Sequence, residues 1–434
     1  MSLPLLLLLL VVVCSAQASH YRGIVMTYYP KNTNADGSMT VDLHYKLNFH
    51  ACADITSWTC FSGNCGNVSS AVLNKVDEEI GTLVWCQTEG IMTRQVSINT
   101  PFQLWSDGGA WIDYIKNGII AWRALTLVEL RNRSDTNQAN RSPQTTILPV
   151  LRVPSNCQRD FNLLVFDPDG DEVKCRYGNT TLSECYDCTP PSVLNLSTSC
   201  TLSFSPTNSS NEGLYAVQLV MEDFPTQNIT LTQTDRMQTN ITSSNAISKI
   251  PVQFVLSVDA AVPSCTEELY LPKFLPPTPD NRALLCAPVD QTLEIIINAT
   301  ANISMISELL FSGPYNINKT TLGAGQYILS WMPSEIQTGE SHPICFVVQA
   351  VFNSVTYQSQ LRCVIVNVVH NSYPIPIFLG VKMKVSALSS LSEDYIINNI
   401  IELIRDQQVM PSDIPLRLKS IVKSTTTATP AVST

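Results

Sequence analysis

The stretch Met39 to Phe49 alternates between apolar and polar side chains. Met39, Val41, Leu43, Tyr45, Leu47 and Phe49 share one face, while Thr40, Asp42, His44, Lys46, Asn48 and the following His50 share the other. A period of two marks a half-buried strand. The Asn-Ala-Asp-Gly turn before it and the run GIVMTYYP before that predict a hairpin. His44 and His50 lie about 20 Å apart at strand rise, so they cannot share one metal and read as exposed strand histidines. Shorter strands are expected around TLVWCQ, RQVSIN and AWRALTLVEL. The polar stretch RNRSDTNQANRSPQTTILP then reads as a linker that ends a first β domain, 19–149.

The pattern repeats further on. Leu202-Ser-Phe204-Ser-Pro206 precedes Gly213-x-Tyr215-x-Val217-x-Leu219, and Leu329-Ser-Trp331-Met-Pro333 precedes Gly339 and the strand ICFVVQA, at an offset of about 127 residues. Each copy reads strand, proline break, polar turn, glycine, alternating strand. Two copies at domain-sized spacing predict tandem β-sandwiches, 150–262 and 263–370. Beyond them, FLGVKMKVSAL and IPLRLKSIVKS alternate as strands around a helical stripe of Ile397, Ile400, Ile401 and Ile404. That predicts a small β-α-β segment, 375–423, before a Ser/Thr-rich tail, 424–434.

The chain opens on an apolar run, Leu3 to Val13, followed by Ala16-Gln17-Ala18. This is the form of a secretory signal, 1–18, and the run is too short to span a bilayer. Export changes the meaning of eleven Asn-x-Ser/Thr triplets. Asn67, Asn132, Asn179, Asn195, Asn208, Asn228, Asn240, Asn298, Asn302 and Asn318 are expected to carry glycans; Asn140 is weakened as an acceptor by Pro143. The 434 residues carry a net charge of −10, which excludes a phosphate-neutralising nucleic-acid partner.

Thirteen cysteines follow the leader, an odd number, so one thiol is free or bridges to another chain. Cys185-x-x-Cys188 has no matching histidine cluster and reads as a structural loop. Cys345 and Cys363 are centred on the turn Asn353-Ser354, which places them opposite each other in a hairpin and predicts a disulfide. Cys265 and Cys286 then remain to staple the proline-rich loop between them. An inter-sheet Cys286–Cys345 bond is the competing assignment.

YILSWMPSEIQTGESHPICFVVQA resembles the cadherin-like and immunoglobulin-like repeats of cell-surface proteins. FDPDGDEVKCRYG with GLYAVQLVMEDF is similar to their DPDGD-bearing members, and the resemblance covers Val153 to Val368. It implies seven-stranded sandwiches and a role in adhesion or recognition. The C-terminal segment resembles half of a SEA-type domain. Within the acidic stretch, Asp167, Asp169, Asp171 and Glu172, joined by Asp223, are candidate calcium ligands, because calcium takes six to eight oxygens. The competing reading is a solvated hairpin with Pro168–Gly170 at its tip, binding calcium weakly if at all.

No other cofactor is suggested. The chain shows no His-Glu-x-x-His, no Gly-x-Ser-x-Gly and no phosphate loop, so no enzyme is expected. These features describe a mainly β, disulfide-bonded, secreted or surface-displayed glycoprotein that recognises an extracellular protein or glycan. Trp105 and Trp111 flank a loop of the lightly glycosylated first domain and are its candidate anchors. A matrix or spacer glycoprotein without a receptor, or a secreted hydrolase, are the alternatives.

Overall fold

The computed structural model describes residues 20–34, 37–81 and 83–370. The expected leader, the β-α-β segment and the Ser/Thr tail lie outside the described residues. Strands dominate, and the helical elements among the described residues are three short 3-10 turns.

Both repeats fold as sandwiches for the reason their pattern suggests. In the second domain, Thr201–Phe204 belongs to a three-stranded sheet with Arg159–Asn162 and Leu194–Leu196. The chain then makes a 3-10 turn, Ser209–Asn211, and re-emerges as Gly213–Phe224 in the large sheet. Gly213 has φ +138°, a backbone conformation that residues with a Cβ rarely adopt, which favours glycine at this crossing. Tyr215 closes the corner by donating to the Asn211 carbonyl at 2.9 Å. The third domain repeats the crossing: Gln326–Trp331 in a four-stranded sheet, Glu335–Gln337 as the turn, then Ser341–Phe352 in a five-stranded sheet. In each sandwich an early strand pairs parallel with the last, Val150–Pro154 with Lys249–Asp259 and Ala283–Pro288 with Arg362–Val369.

The first domain is built differently. One wing runs through Thr59–Ser62, Phe102–Gly108 and Trp122–Val128; the other through Gly23–Thr33, Met39–Phe49, Trp85–Val96 and Asn67–Glu79. Both wings pair with Lys249–Asp259 of the second domain, at Lys249↔Leu127 and Val25↔Val252. The wings close over aromatic rings: Tyr21 stacks on Trp122 at 4.1 Å and meets Trp111 edge-on at 4.7 Å. No linker therefore separates the first two domains. Residues 131–149, expected to be a polar linker, include buried Arg133, Asn140, Ser142, Gln144, Thr145 and Thr146. Buried polar groups persist where each finds a hydrogen bond, and the neighbouring strands supply them.

The third sandwich packs on this assembly, and the described residues form one compact unit. Cys345, Val347, Leu361, Cys363 and Ile365 join the hydrophobic cluster that fills the first two domains. Tyr29 donates to the Ser341 carbonyl at 2.9 Å, and the Arg152 amide donates to Gln358 at 2.8 Å. Polar residues on the outer face of Met39–Phe49 are covered by this contact. His44 is consequently largely buried, not exposed, with 12% of its side chain accessible; His50 is exposed.

Cys345 and Cys363 are directly paired and bonded. The staple expected between Cys265 and Cys286 does not form. Cys265 bonds Cys157 instead, because the Asn156 side chain donates to the Val262 carbonyl and accepts from the Val262 amide, drawing the two segments together. Cys286 lies in the strand Ala283–Pro288 and is the free thiol among the described residues; burial raises its pKa. The remaining pairs are Cys52–Cys86, Cys60–Cys65, Cys175–Cys200 and Cys185–Cys188.

Candidate functional site

The strand Phe102–Gly108 buries Phe102, Leu104 and Ser106 and turns Gln103, Trp105 and Asp107 outward. Thr59 pairs opposite Trp105 on one side, and Arg123 opposite Asp107 on the other. Phe61, 40% exposed, sits 5.0 Å from Trp105, held in a loop that Cys60–Cys65 closes. The guanidinium of Arg123 lies between two rings, 4.2 Å from Trp105 and 4.0 Å from Tyr186. Tyr186, 47% exposed, comes from the second domain. Its hydroxyl donates to Asp107 at 2.7 Å, and Arg123 bonds the same carboxylate oxygen at 3.2 Å.

Tyr186 is delivered by the small ring that Cys185–Cys188 closes. Gln218 donates to the Asp187 carbonyl at 2.6 Å, and Asn117 of the first domain donates to the Thr189 carbonyl at 2.8 Å. A Cβ on Gly178 would come within 2.6 Å of the Cys185 sulfur, so the ring also depends on a glycine beneath it. The result is a continuous face across two domains, exposed at Phe61 and Tyr186 and half-buried at Trp105 and Arg123. Aromatic rings beside a fixed cation and carboxylate bury large area at low entropic cost, which is the chemistry of recognition anchors. Of the expected anchors, Trp105 is here, on a strand and not on a loop. Trp111 is 2% exposed and belongs to the core.

The acidic stretch is not a hairpin. Arg159–Asn162 and Glu172–Tyr177, which flank it, lie in different sheets, so the turn arches between them. Gly170 at its tip is exposed, but the acidic side chains of Asp169 and Asp171 are not solvated, each being 2% exposed. The carboxylates of Asp167, Asp171 and Asp223 converge within 4.8 Å of one another. Glu172 stands apart; its side chain is 64% exposed and pairs with Lys174 at 3.1 Å. A fully buried guanidinium meets the converging acids. Arg133 donates to both oxygens of Asp171, to Asp135 at 2.8 Å and to Asn140 at 2.7 Å. Asp169 accepts from the Arg141 amide at 2.8 Å. Asn140 is the one fully buried sequon asparagine; its side chain also donates to Asp223 at 2.9 Å. The other sequon asparagines are exposed, with Asn298 half-buried.

Burial pushes Asp167 well above the usual carboxylate range, reinforced by Asp223, Asp171 and Asp169. Burial likewise raises Asp223 to about 6. Such a group binds its proton more tightly folded than unfolded. Its contribution is fully present below the unfolded value of about 4 and is lost as pH rises to about 6, at about 1.4 kcal/mol for each tenfold difference in proton affinity. The stability difference between the native chain and Asp223→Asn should therefore shrink from pH 4 to pH 6. Urea unfolding across that window measures it, and a constant difference would contradict the assignment.

No family model matches the chain. Among curated proteins it is similar to two integrin beta-like proteins of Dictyostelium discoideum. Protein C is 23% identical over 242 residues, covering 52% of this chain and 12% of that protein. Protein B is 21% identical over 348 residues, covering 74% and 18%. The chain thus spans under a fifth of the length of these relatives. Among solved structures, tandem Ig repeats of Dlar align over 53% of this chain and 96% of theirs, at 10% identity and a TM-score of 0.20. Fibronectin(III)-like modules of Clostridium thermocellum CbhA align over 55% and 99%, at 12% identity and a TM-score of 0.18.

Proposed function

We propose that this chain is an extracellular, adhesion-type recognition protein whose contact surface is the Phe61–Trp105–Arg123–Tyr186 face. The carrying observation is the guanidinium held between two rings contributed by two domains, with Tyr186 exposed and Trp105 half-buried. Such a surface fits an extracellular protein or glycan. Two features support the setting: six disulfides among the described residues, and relatives whose names mark them as integrin beta-like. Among the described residues no helix is long and apolar enough to cross a membrane. The chain acts by binding and not by catalysis, secreted or displayed at the cell surface as a glycoprotein.

Beads carrying the whole chain, applied to cells of the organism that makes it, test the reading. Trp105→Ala and Tyr186→Ala should each reduce bead capture by roughly thirtyfold, the effect of losing an anchor worth about 2 kcal/mol. Undiminished capture by both variants would exclude this face as the contact surface. No capture by the native chain would favour the spacer function.

A further inference from the structure

We propose that Asp42, His44, Glu340 and His342 form a binding site for a divalent transition-metal ion of the zinc class, tying the first domain to the third sandwich. The four residues form two carboxylate-x-histidine pairs, Asp42-Leu-His44 and Glu340-Ser-His342. Spacing of two along an extended segment places both side chains of a pair on one face. The first pair lies on the strand Met39–Phe49, the second at the start of Ser341–Phe352, and the domains' packing turns them toward each other.

Ligand atoms of Asp42, His44 and Glu340 lie within 4.8 Å of one another. Nε2 of His342 reaches within 3.0 Å of Glu340, and the two imidazoles are 6.2 Å apart, ring centre to ring centre. Nε2 of His44 is buried without a hydrogen bond, while Nε2 of His342 and Oε2 of Glu340 meet each other at 3.0 Å. The Glu340 and His342 side chains are only 4% and 7% exposed. The unmet Nε2 of His44 carries a desolvation penalty that a ligand would relieve. Two imidazoles and two carboxylates suit a four-coordinate zinc-class ion, with bonds of about 2 Å, better than calcium or magnesium, which take oxygen ligands.

One cation already visits the cluster. Lys31 bonds Glu340, lies 3.6 Å from Asp42 and also donates to the Ile336 carbonyl at 3.0 Å. Its side chain is 22% exposed, at the rim, so it has a path to solvent when an ion enters. Lys31 is therefore a competitor of the metal and not a ligand. Glu89 and Lys46, paired at 2.6 Å, stand behind His44 and fix its other edge, with Glu89 at 3.9 Å from Nδ1.

The test uses the full chain stripped with a chelator and titrated with zinc sulfate, read by calorimetry and by the thermal unfolding midpoint. One ion per chain should bind and raise the midpoint, EDTA should reverse both, and magnesium should do neither. His342→Ala and Glu340→Gln should each weaken binding by more than about tenfold. Lys31→Gln keeps all four ligands and should tighten binding roughly fivefold. If the ligand variants do not fold, Lys31→Gln decides alone, and unchanged or weaker affinity overturns the site. Absence of zinc binding overturns it too. So does zinc binding that survives His342→Ala but is lost in His50→Ala, because His20 and exposed His50 approach to 6.0 Å and would then be the site.

Discussion

Arg133→Ala is expected to lower the unfolding free energy by about 3–5 kcal/mol, the cost of removing one member of a buried ion cluster. The guanidinium is fully buried and meets Asp135, Asp171 and Asn140, with Asp169 at 3.7 Å. Its loss leaves converging carboxylates with only Arg141 nearby. The space it vacates is lined by oxygens, which is what calcium requires. Calcium should accordingly restore part of the lost stability to Arg133→Ala and leave the native chain unchanged. Urea unfolding with and without calcium reads both outcomes. A native chain that gains as much from calcium as the variant would show that Arg133 does not stand in for the ion.

Removing the Cys157–Cys265 bond is the second large effect. It closes a span of 108 residues and joins the second sandwich to the entry of the third. The chain-entropy model assigns a loop of that length about 4–5 kcal/mol, against about 2 kcal/mol for the short Cys60–Cys65 loop. The Cys157→Ala, Cys265→Ala double variant should therefore lose markedly more stability than the corresponding Cys60, Cys65 variant. Equal losses would assign the stabilisation to something other than chain entropy. Non-reducing peptide mapping should recover a peptide pair containing Cys157 and Cys265, and Cys286 as a free thiol.

Local pattern carries the parts of this fold that depend on neighbours in sequence. The alternation of Met39 to Phe49, the strand–turn–glycine crossings near Gly213 and Gly339, and the symmetric placement of Cys345 and Cys363 all act over fewer than twenty residues. Long-range meetings leave no such trace. Tyr186 meets Arg123 only because a disulfide ring of one domain docks on a sheet of another. Residues 131–149 look solvated because their side chains are polar, but their hydrogen-bond partners come from elsewhere in the chain. Proximity in sequence points Cys265 to Cys286, whereas Asn156 brings it to Cys157. Asp167, Asp171 and Asp223 are legible as a cluster; the arginine that holds them is not, because it arrives from the apparent linker.

The recognition face is tested most directly by covering it. Ser57 is exposed and lies two residues before Thr59, which pairs with Trp105. Ser57→Asn creates an Asn-Trp-Thr acceptor there without altering any ring of the face. Cell capture by beads bearing the glycosylated variant should fall at least tenfold, about 1.4 kcal/mol or more, and return when the glycan is removed enzymatically. Capture equal to the native chain, with occupancy of the new glycan confirmed by mass, would contradict the assignment of recognition to this face.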